Sequence, residues 1–269
     1  MKTLLLAVLP LIPFEKPLDT VEPSAHPTHD GEIRVTILFD NYAADERLRT
    51  GWGFAALLET PDHTILFDTG ADGEALLENF RLLGKDPMEV EAIVISHAHG
   101  DHTGGMQALF DLGLRPSLYL LEGFPEEMRS SAAASLTMIE ASPGQEIAPG
   151  IRTTGQLGTD IPEQALILDT QDGIVLLTGC AHPGVVQMIE GAQAVSARPL
   201  HLVMGGFHLM NASGAELEVI LGDFRRLGVE QVGATHCSGD LTMSTFQAAY
   251  GESFRPLGAG RTLSFPLPS

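Results

Sequence analysis

The chain has 269 residues, 44% of them hydrophobic, which suffices to bury the core of one large α/β domain. Against 15 Lys and Arg stand 35 Asp and Glu, a formal net charge of −20, so a polyphosphate backbone would meet repulsion over much of the surface. That argues against nucleic acid as a partner and identifies no other, a small-molecule substrate being expected only from the site chemistry below. Two cysteines in this length are too few for a disulfide framework.

The first thirty residues differ from the rest. Lys2 precedes an apolar run over residues 3–12, too short to span a bilayer but suited to the core of a secretory signal, and a Pro-rich polar stretch follows over residues 13–30. No clean small-x-small cleavage triplet is present, and Pro23-Ser24-Ala25 is a poor substitute. Residues 1–30 therefore read as a signal peptide or flexible leader, with an apolar arm packed on the domain as the other reading, and residues 31–269 read as one domain. A signal would make the protein periplasmic or secreted; without one it would be cytoplasmic. No later segment reads as a transmembrane helix, so stable membrane insertion is not expected, and oligomeric state is not legible.

From Glu32 onward Ile33, Val35, Ile37 and Phe39 alternate as in a strand, and residues 53–59 and 64–67 give two more strands around the turn Pro61-Asp62-His63, a β-meander. Asp72 is placed to cap a helix carrying Leu76, Leu77, Phe80 and Leu83, which Gly84 closes. Residues 91–95 form a short buried strand running into Ser96-His97. In the second half, a hairpin is expected over residues 165–178 around Gln171-Asp172-Gly173, followed by a helix at 185–195, a strand at 201–204 and a helix at 215–227. A strand at 231–235, a helix at 242–250 and a strand at 262–265 complete the chain. Strands in both halves with helices between them predict an α/β fold of two sheets face to face, covered by helices outside.

The chemistry concentrates in Ser96-His97-Ala98-His99-Gly100-Asp101-His102-Thr103-Gly104-Gly105. Three imidazoles and a carboxylate within six positions, just after a buried strand, form the donor set that borderline-soft divalent ions favour. His97 and His99 are expected to point one way, and Asp101 and His102 toward a neighbouring point, which makes two adjacent metal positions. Cys180 and Cys237 each lie near a histidine, His182 and His236, so both thiols are weighed as site residues against simple burial.

This segment resembles the H-x-H-x-D-H signature of the metallo-β-lactamase superfamily, and Leu66-Phe67-Asp68-Thr69-Gly70 resembles its first motif. The resemblance implies a four-layer αββα sandwich and gives Asp68 the role of orienting ligands from behind. It also implies donors from later strand ends. No Gly-His motif occurs over residues 144–158, where many members place a third histidine; Thr178-Gly179-Cys180-Ala181-His182-Pro183-Gly184 offers His182 in its place, giving a first triad of His97, His99 and His182. Ala234-Thr235-His236-Cys237-Ser238-Gly239 supplies His236 to a second triad with Asp101 and His102. Cys180 stands where many members carry a bridging aspartate, as a thiolate ligand or as a packed thiol. Together with Gly205-Gly206-Phe207-His208-Leu209, these motifs are similar to the branch of dihydropterin ribofuranosyl-aminobenzene phosphate synthase-like proteins.

The expected activity is hydrolysis of an ester, lactone, amide or phosphoester by a zinc-bound hydroxide, on a substrate of pterin type if the branch resemblance extends that far. Asp101 would hold the water as well as an ion, and His208 would protonate the leaving group or remain a bystander. One or two Zn2+ are the expected cofactor, and the donors also admit iron or manganese. A mononuclear iron redox enzyme and a metal- or pterin-binding module without turnover stay open as alternatives; flavin-linked di-iron members usually carry glutamate where this chain has His99. His26, His29, His63 and His201 read as structural or solvated. The loops at 41–52 and 124–142 carry no chemical signature, and Trp52 and Phe54 are expected in the core.

Overall fold

The computed structural model describes residues 31–268, so the leader reading, with His26 and His29, lies outside the described residues. In chain order the first half contains β1 (Glu32–Phe39), β2 (Ala55–Glu59), β3 (Thr64–Phe67), α1 (Gly73–Leu82), β4 (Ala92–Val94), the single turn α2 (Gly100–Thr103), α3 (Met106–Asp111), β5 (Ser117–Leu120), α4 (Glu126–Ser135) and β6 (Thr137–Glu140). The second half contains β7 (Glu146–Ala148), β8 (Ile151–Thr153), β9 (Leu166–Thr170), β10 (Gly173–Thr178), α5 (Val185–Val195), β11 (Leu200–Gly206), α6 (Gly214–Arg226), β12 (Gln231–Thr235), α7 (Asp240–Tyr250) and β13 (Thr262–Pro266).

Two mixed sheets result, ordered β13-β1-β2-β3-β4-β5-β6 and β12-β11-β10-β9-β8-β7. Their inner faces share one core, in which Val35, Phe67 and Val94 of the first sheet meet Val175, Leu177 and Met204 of the second. A second core joins the outer face of the second sheet to Met188 of α5, Leu221 of α6 and Phe246 of α7. A third joins Leu57 and Ile93 to Leu76 and Phe80 of α1 and Leu109 of α3. The order helix, sheet, sheet, helix is thus a four-layer αββα sandwich, as the strand and helix pattern predicts. Each inner strand is buried on both faces, which is why β1 buries Thr36 and Leu38 as well as the alternating Ile33, Val35 and Ile37.

Local signals act where the sequence puts them. The Asp72 side chain accepts from the Ala75 N–H at 3.0 Å and starts α1, while Ser213 and Glu216 form a capping box at α6. Residues 124–142 depart from expectation: they form α4 and the edge strand β6 rather than a loop. Among the buried residues of α4 only Ala132 appears, so the segment lacks the apolar periodicity that marks a helix in sequence. No helix among the described residues is long and apolar enough to cross a membrane.

Candidate metal centre

The parallel strands determine where the chemistry lies. β3 pairs parallel with β4, and β10, β11 and β12 run parallel in sequence, so within each sheet their carboxyl ends open on one edge. Asp68 follows β3, His97 follows β4, Cys180 and His182 follow β10, His208 follows β11 and His236 follows β12. Loops at the carboxyl ends of parallel strands are the usual ligand-binding position in α/β folds. At Gly179 a Cβ would come within 2.1 Å of Ser96 Oγ, so a glycine is needed where the loop from the second sheet crosses the loop from the first. Four non-glycine residues among those described have φ between 50 and 60°, namely Asp68, Ala181, His208 and His236, and all lie in these loops. A left-handed backbone costs on the order of 1–3 kcal/mol per residue, and its confinement to one place is a common mark of a functional site.

The first donor cluster is made of imidazoles. His97 Nε2 lies 3.1 Å from His99 Nδ1 and 3.2 Å from His182 Nε2. His99 caps the start of α2, so Asp101 and His102 leave on a single helical turn and face the neighbouring point, where a plain loop was expected. There Asp101, His102, Cys180 and His236 bring donor atoms within 4.8 Å of one another. His102 Nε2 is 3.2 Å from Cys180 Sγ and 3.6 Å from Asp101 Oδ2, and His236 Nε2 is 3.5 Å from that same oxygen. Cys180 belongs to this group and also to one with His97 and His182, so its sulfur stands between the two clusters.

Hydrogen bonds behind the rings set their tautomers. Asp68 Oδ2 accepts from His102 Nδ1–H at 2.7 Å and from Ser96 Oγ–H at 2.7 Å, and Ser96 Oγ in turn accepts from His97 Nδ1–H at 2.9 Å. Asn41 Oδ1 accepts from His236 Nδ1–H at 3.0 Å. With Nδ1 carrying the proton, Nε2 of His97, His102 and His236 presents a lone pair to the centre. Glu163 is fully buried and accepts the backbone N–H groups of Cys180, Ala181 and His182, each at 2.8 Å, which fixes the loop that carries the thiol and the imidazole. Ser96, Asn41 and Glu163 escape the sequence reading. Only the adjacency of Ser96 to His97 offered a signal; the other two act on residues far away in the chain.

The electrostatics favour the unprotonated form at His97, His182 and Asp101, and the protonated form at His102 and Cys180. Burial and the surrounding imidazoles, His102 first, drive His97 far below the ordinary histidine value, and burial beside His208 brings His182 down to about 4. For Asp101 burial acts upward, but the facing His236 and His102 outweigh it and hold the carboxyl below the usual range. For His102 burial is likewise outweighed, here by Asp68, and its pKa rises. Contact with Cys237 and burial push the Cys180 thiol up. Burial lifts Glu163 to about 7 against the opposing backbone donors.

A direct test of fit is the Nε2 atom of His236, which is buried and makes no hydrogen bond. A buried acceptor left unpaired costs about 1–3 kcal/mol, and a cation would satisfy it. Neutral imidazoles, a carboxylate and a thiol facing a shared space are the donor set of zinc-class ions. The residues present therefore fit a metal. His208 is exposed, with its ring 4.2 Å from that of His182, and its backbone N–H donates to Cys237 Sγ at 3.2 Å. His63 and His201 lie apart, paired with Glu91 and Glu230. Phe54 is in the core as expected, whereas Trp52 is 49% exposed. Hydrophobic character suggested burial for the indole, but the loop carrying it packs on the rim of the centre, 5.0 Å from the His236 ring.

Comparison with known proteins agrees with this geometry. The chain is 25% identical, over 87% of its length and 97% of the relative's, to 7,8-dihydropterin-6-methyl-4-(beta-D-ribofuranosyl)-aminobenzene-5'-phosphate synthase of Methanocaldococcus jannaschii. The crystal structure of Tm1679, described as a metal-dependent hydrolase of the beta-lactamase superfamily, superposes with a TM-score of 0.71 at 25% identity, covering 86% of this chain and 98% of that one. A diphosphatase from the PhnP family shares the fold at 16% identity, with a TM-score of 0.61 over 88% of this chain and 99% of its own. Residues 51–217, which hold Asp68, the whole His97 to His102 segment, Cys180 and His182, match the description of one family, and the chain belongs to the metallo-beta-lactamase superfamily.

Proposed function

We propose that the protein is a metal-dependent hydrolase of a small ester, lactone, amide or phosphoester. The observation that carries this reading is the pair of adjoining donor clusters, with the buried Nε2 of His236 left unpaired in one of them. His97, His99 and His182 would hold one ion, and Asp101, His102 and His236, with Cys180 between the clusters, a second. Zinc is the ion that best suits this mixture of imidazole, carboxylate and thiol. Ions bound there would lower the pKa of a water to about 7 and polarise the oxygen that gains charge.

The chain's own groups supply the rest. The partly buried carboxylate of Asp101 accepts a hydrogen bond from the attacking water and orients it. His208, exposed beside His182, is placed to give a proton to the departing oxygen or nitrogen. Asp68, Ser96, Asn41 and Glu163 keep the donors in position, so that little reorganisation accompanies turnover. Among substrates, phosphoesters carrying a pterin or aminobenzene group come first for testing, since the Methanocaldococcus jannaschii relative is named for such a compound. Export is proposed on the Lys2 leader alone, and N-terminal sequencing of the protein from fractionated cells tests it.

Elemental analysis of the purified protein, compared between wild type and His182→Ala, tests the central reading. Two zinc ions per chain with one lost in the variant are expected. One redox-active iron per chain would replace the hydrolase reading with oxidation chemistry, and a metal-free protein with full activity would end it.

A further inference from the structure

Trp52 is the only tryptophan of the chain, and it is spent on the surface, 49% exposed, at the edge of the metal centre. Its position is held from several sides. The next residue, Gly53, donates its N–H to Asn41 Oδ1 at 3.2 Å, the same oxygen that receives His236 Nδ1–H. Phe54 N–H donates to the backbone oxygen of Asp101 at 3.2 Å. Gly53 has φ of 149°, and a Cβ there would come within 2.6 Å of that Asp101 oxygen, so no other residue brings the chain this close. Tyr42 OH donates to Asp240 Oδ1 at 2.8 Å and ties the loop to the start of α7. The indole therefore sits on a backbone pinned to two of the residues assigned to the metal.

The indole is half exposed and lies against one imidazole of the centre. Its ring lies 5.0 Å from that of His236 at an interplanar angle of 49°, and His236 is only 1% exposed. Met210, 49% exposed, donates its N–H to the oxygen of Cys237, and Leu241, 53% exposed, lies in the first turn of α7. Trp52, Met210 and Leu241 are thus exposed on segments that follow or bond to the loops carrying the donors. An indole left half in solvent beside a buried polar centre offers a flat face to whatever binds there.

We propose that Trp52 is a stacking platform and that the substrate carries a flat aromatic or heteroaromatic ring, held against the indole while its scissile bond lies over the metal centre. This deepens the hydrolase reading and rests on it. A planar ring gains offset stacking on the indole face in addition to buried area, whereas a saturated ring of equal size gains the area alone. Trp52 acts on specificity, and its loss leaves the metal donors in place.

The test uses benzylphosphonate and cyclohexylmethylphosphonate, two non-hydrolysable anions that differ in whether the ring is planar. Their affinities for the zinc-loaded wild type, Trp52→Phe and Trp52→Ala are measured by calorimetry, with the zinc content of each protein determined. Quenching of the single tryptophan gives a second reading in the wild type. Expected is a roughly tenfold preference for the benzyl compound, with quenching, kept in large part by Trp52→Phe and abolished by Trp52→Ala at unchanged zinc content. Equal affinities in the wild type, or a preference that survives in Trp52→Ala, would overturn the platform. Hydrolysis without ring preference removes the platform alone; ring preference in a protein that hydrolyses nothing removes the hydrolase reading alone.

Discussion

The two donor clusters lie side by side but are built by different means. His97 and His99 are two residues apart at the end of β4, and with His182 they form a knot of imidazoles whose nitrogens approach within 3.1 and 3.2 Å. The second cluster takes Asp101 and His102 from one helical turn, Cys180 from the end of β10 and His236 from the end of β12. Two of its imidazoles depend on long-range hydrogen bonds, His102 on Asp68 and His236 on Asn41. The contrast teaches that chain spacing alone brings His97 and His99 together, while the second cluster gathers its donors and the hydrogen-bond partners that orient them from distant parts of the chain. Asn41 should accordingly matter to the second cluster alone, whereas Asp68 acts on both.

The largest effect is expected from removing the residue at the heart of the first cluster. His97→Ala takes away the nitrogen that both His99 and His182 face, and hydrolysis should fall roughly a thousandfold or more, read as kcat/KM on any substrate the wild type turns over. Next, His236→Ala should lower metal content from two ions to one and leave the first cluster loaded, which elemental analysis checks; loss of both ions would show that the clusters bind as a unit. Asn41→Ala should weaken the second ion alone by about 10–100-fold, read by chelator competition, because the His236 ring loses the acceptor that sets its tautomer. Asp68→Ala should weaken both, since Asp68 reaches His102 directly and His97 through Ser96.

The smallest effect concerns pH. Asp40 is buried and its carboxyl is pushed up to about 6, with the Thr235 hydroxyl and the Tyr42 N–H opposing the rise. An acid whose folded pKa exceeds its unfolded value near 4 keeps its proton longer in the folded state, so the stability it contributes is present at low pH and lost as pH rises from about 4 to 6. Asp40→Asn removes this titration. The wild type should lose up to about 3 kcal/mol relative to that variant across the window, measured by chemical denaturation at each pH, and parallel curves would refute the assignment.

Much of the architecture was readable from residue order, because alternation, capping and turn residues are local and survive into the structure, as at Asp72 and Gly84. The segment from His97 to His102 was readable for the same reason: its donors sit within six positions behind a buried strand, so their convergence needs little of the rest of the fold. The α4 and β6 segment was not, since its polarity hides the helix and its short edge strand has no strong apolar pattern.

What only the tertiary structure decided are the roles of Ser96, Asn41, Glu163 and Trp52. A serine, an asparagine or a buried glutamate does not announce its partner, and Asn41 meets His236 across 195 positions of chain. Trp52 has the composition of a core residue, yet Gly53 and Asn41 fix its backbone at the rim and leave the indole in solvent. Local sequence determined which donors exist and which strand ends carry them. The packing of two sheets determined how close those ends come, because hydrogen bonds and contacts between distant segments depend on where the strands stop in space.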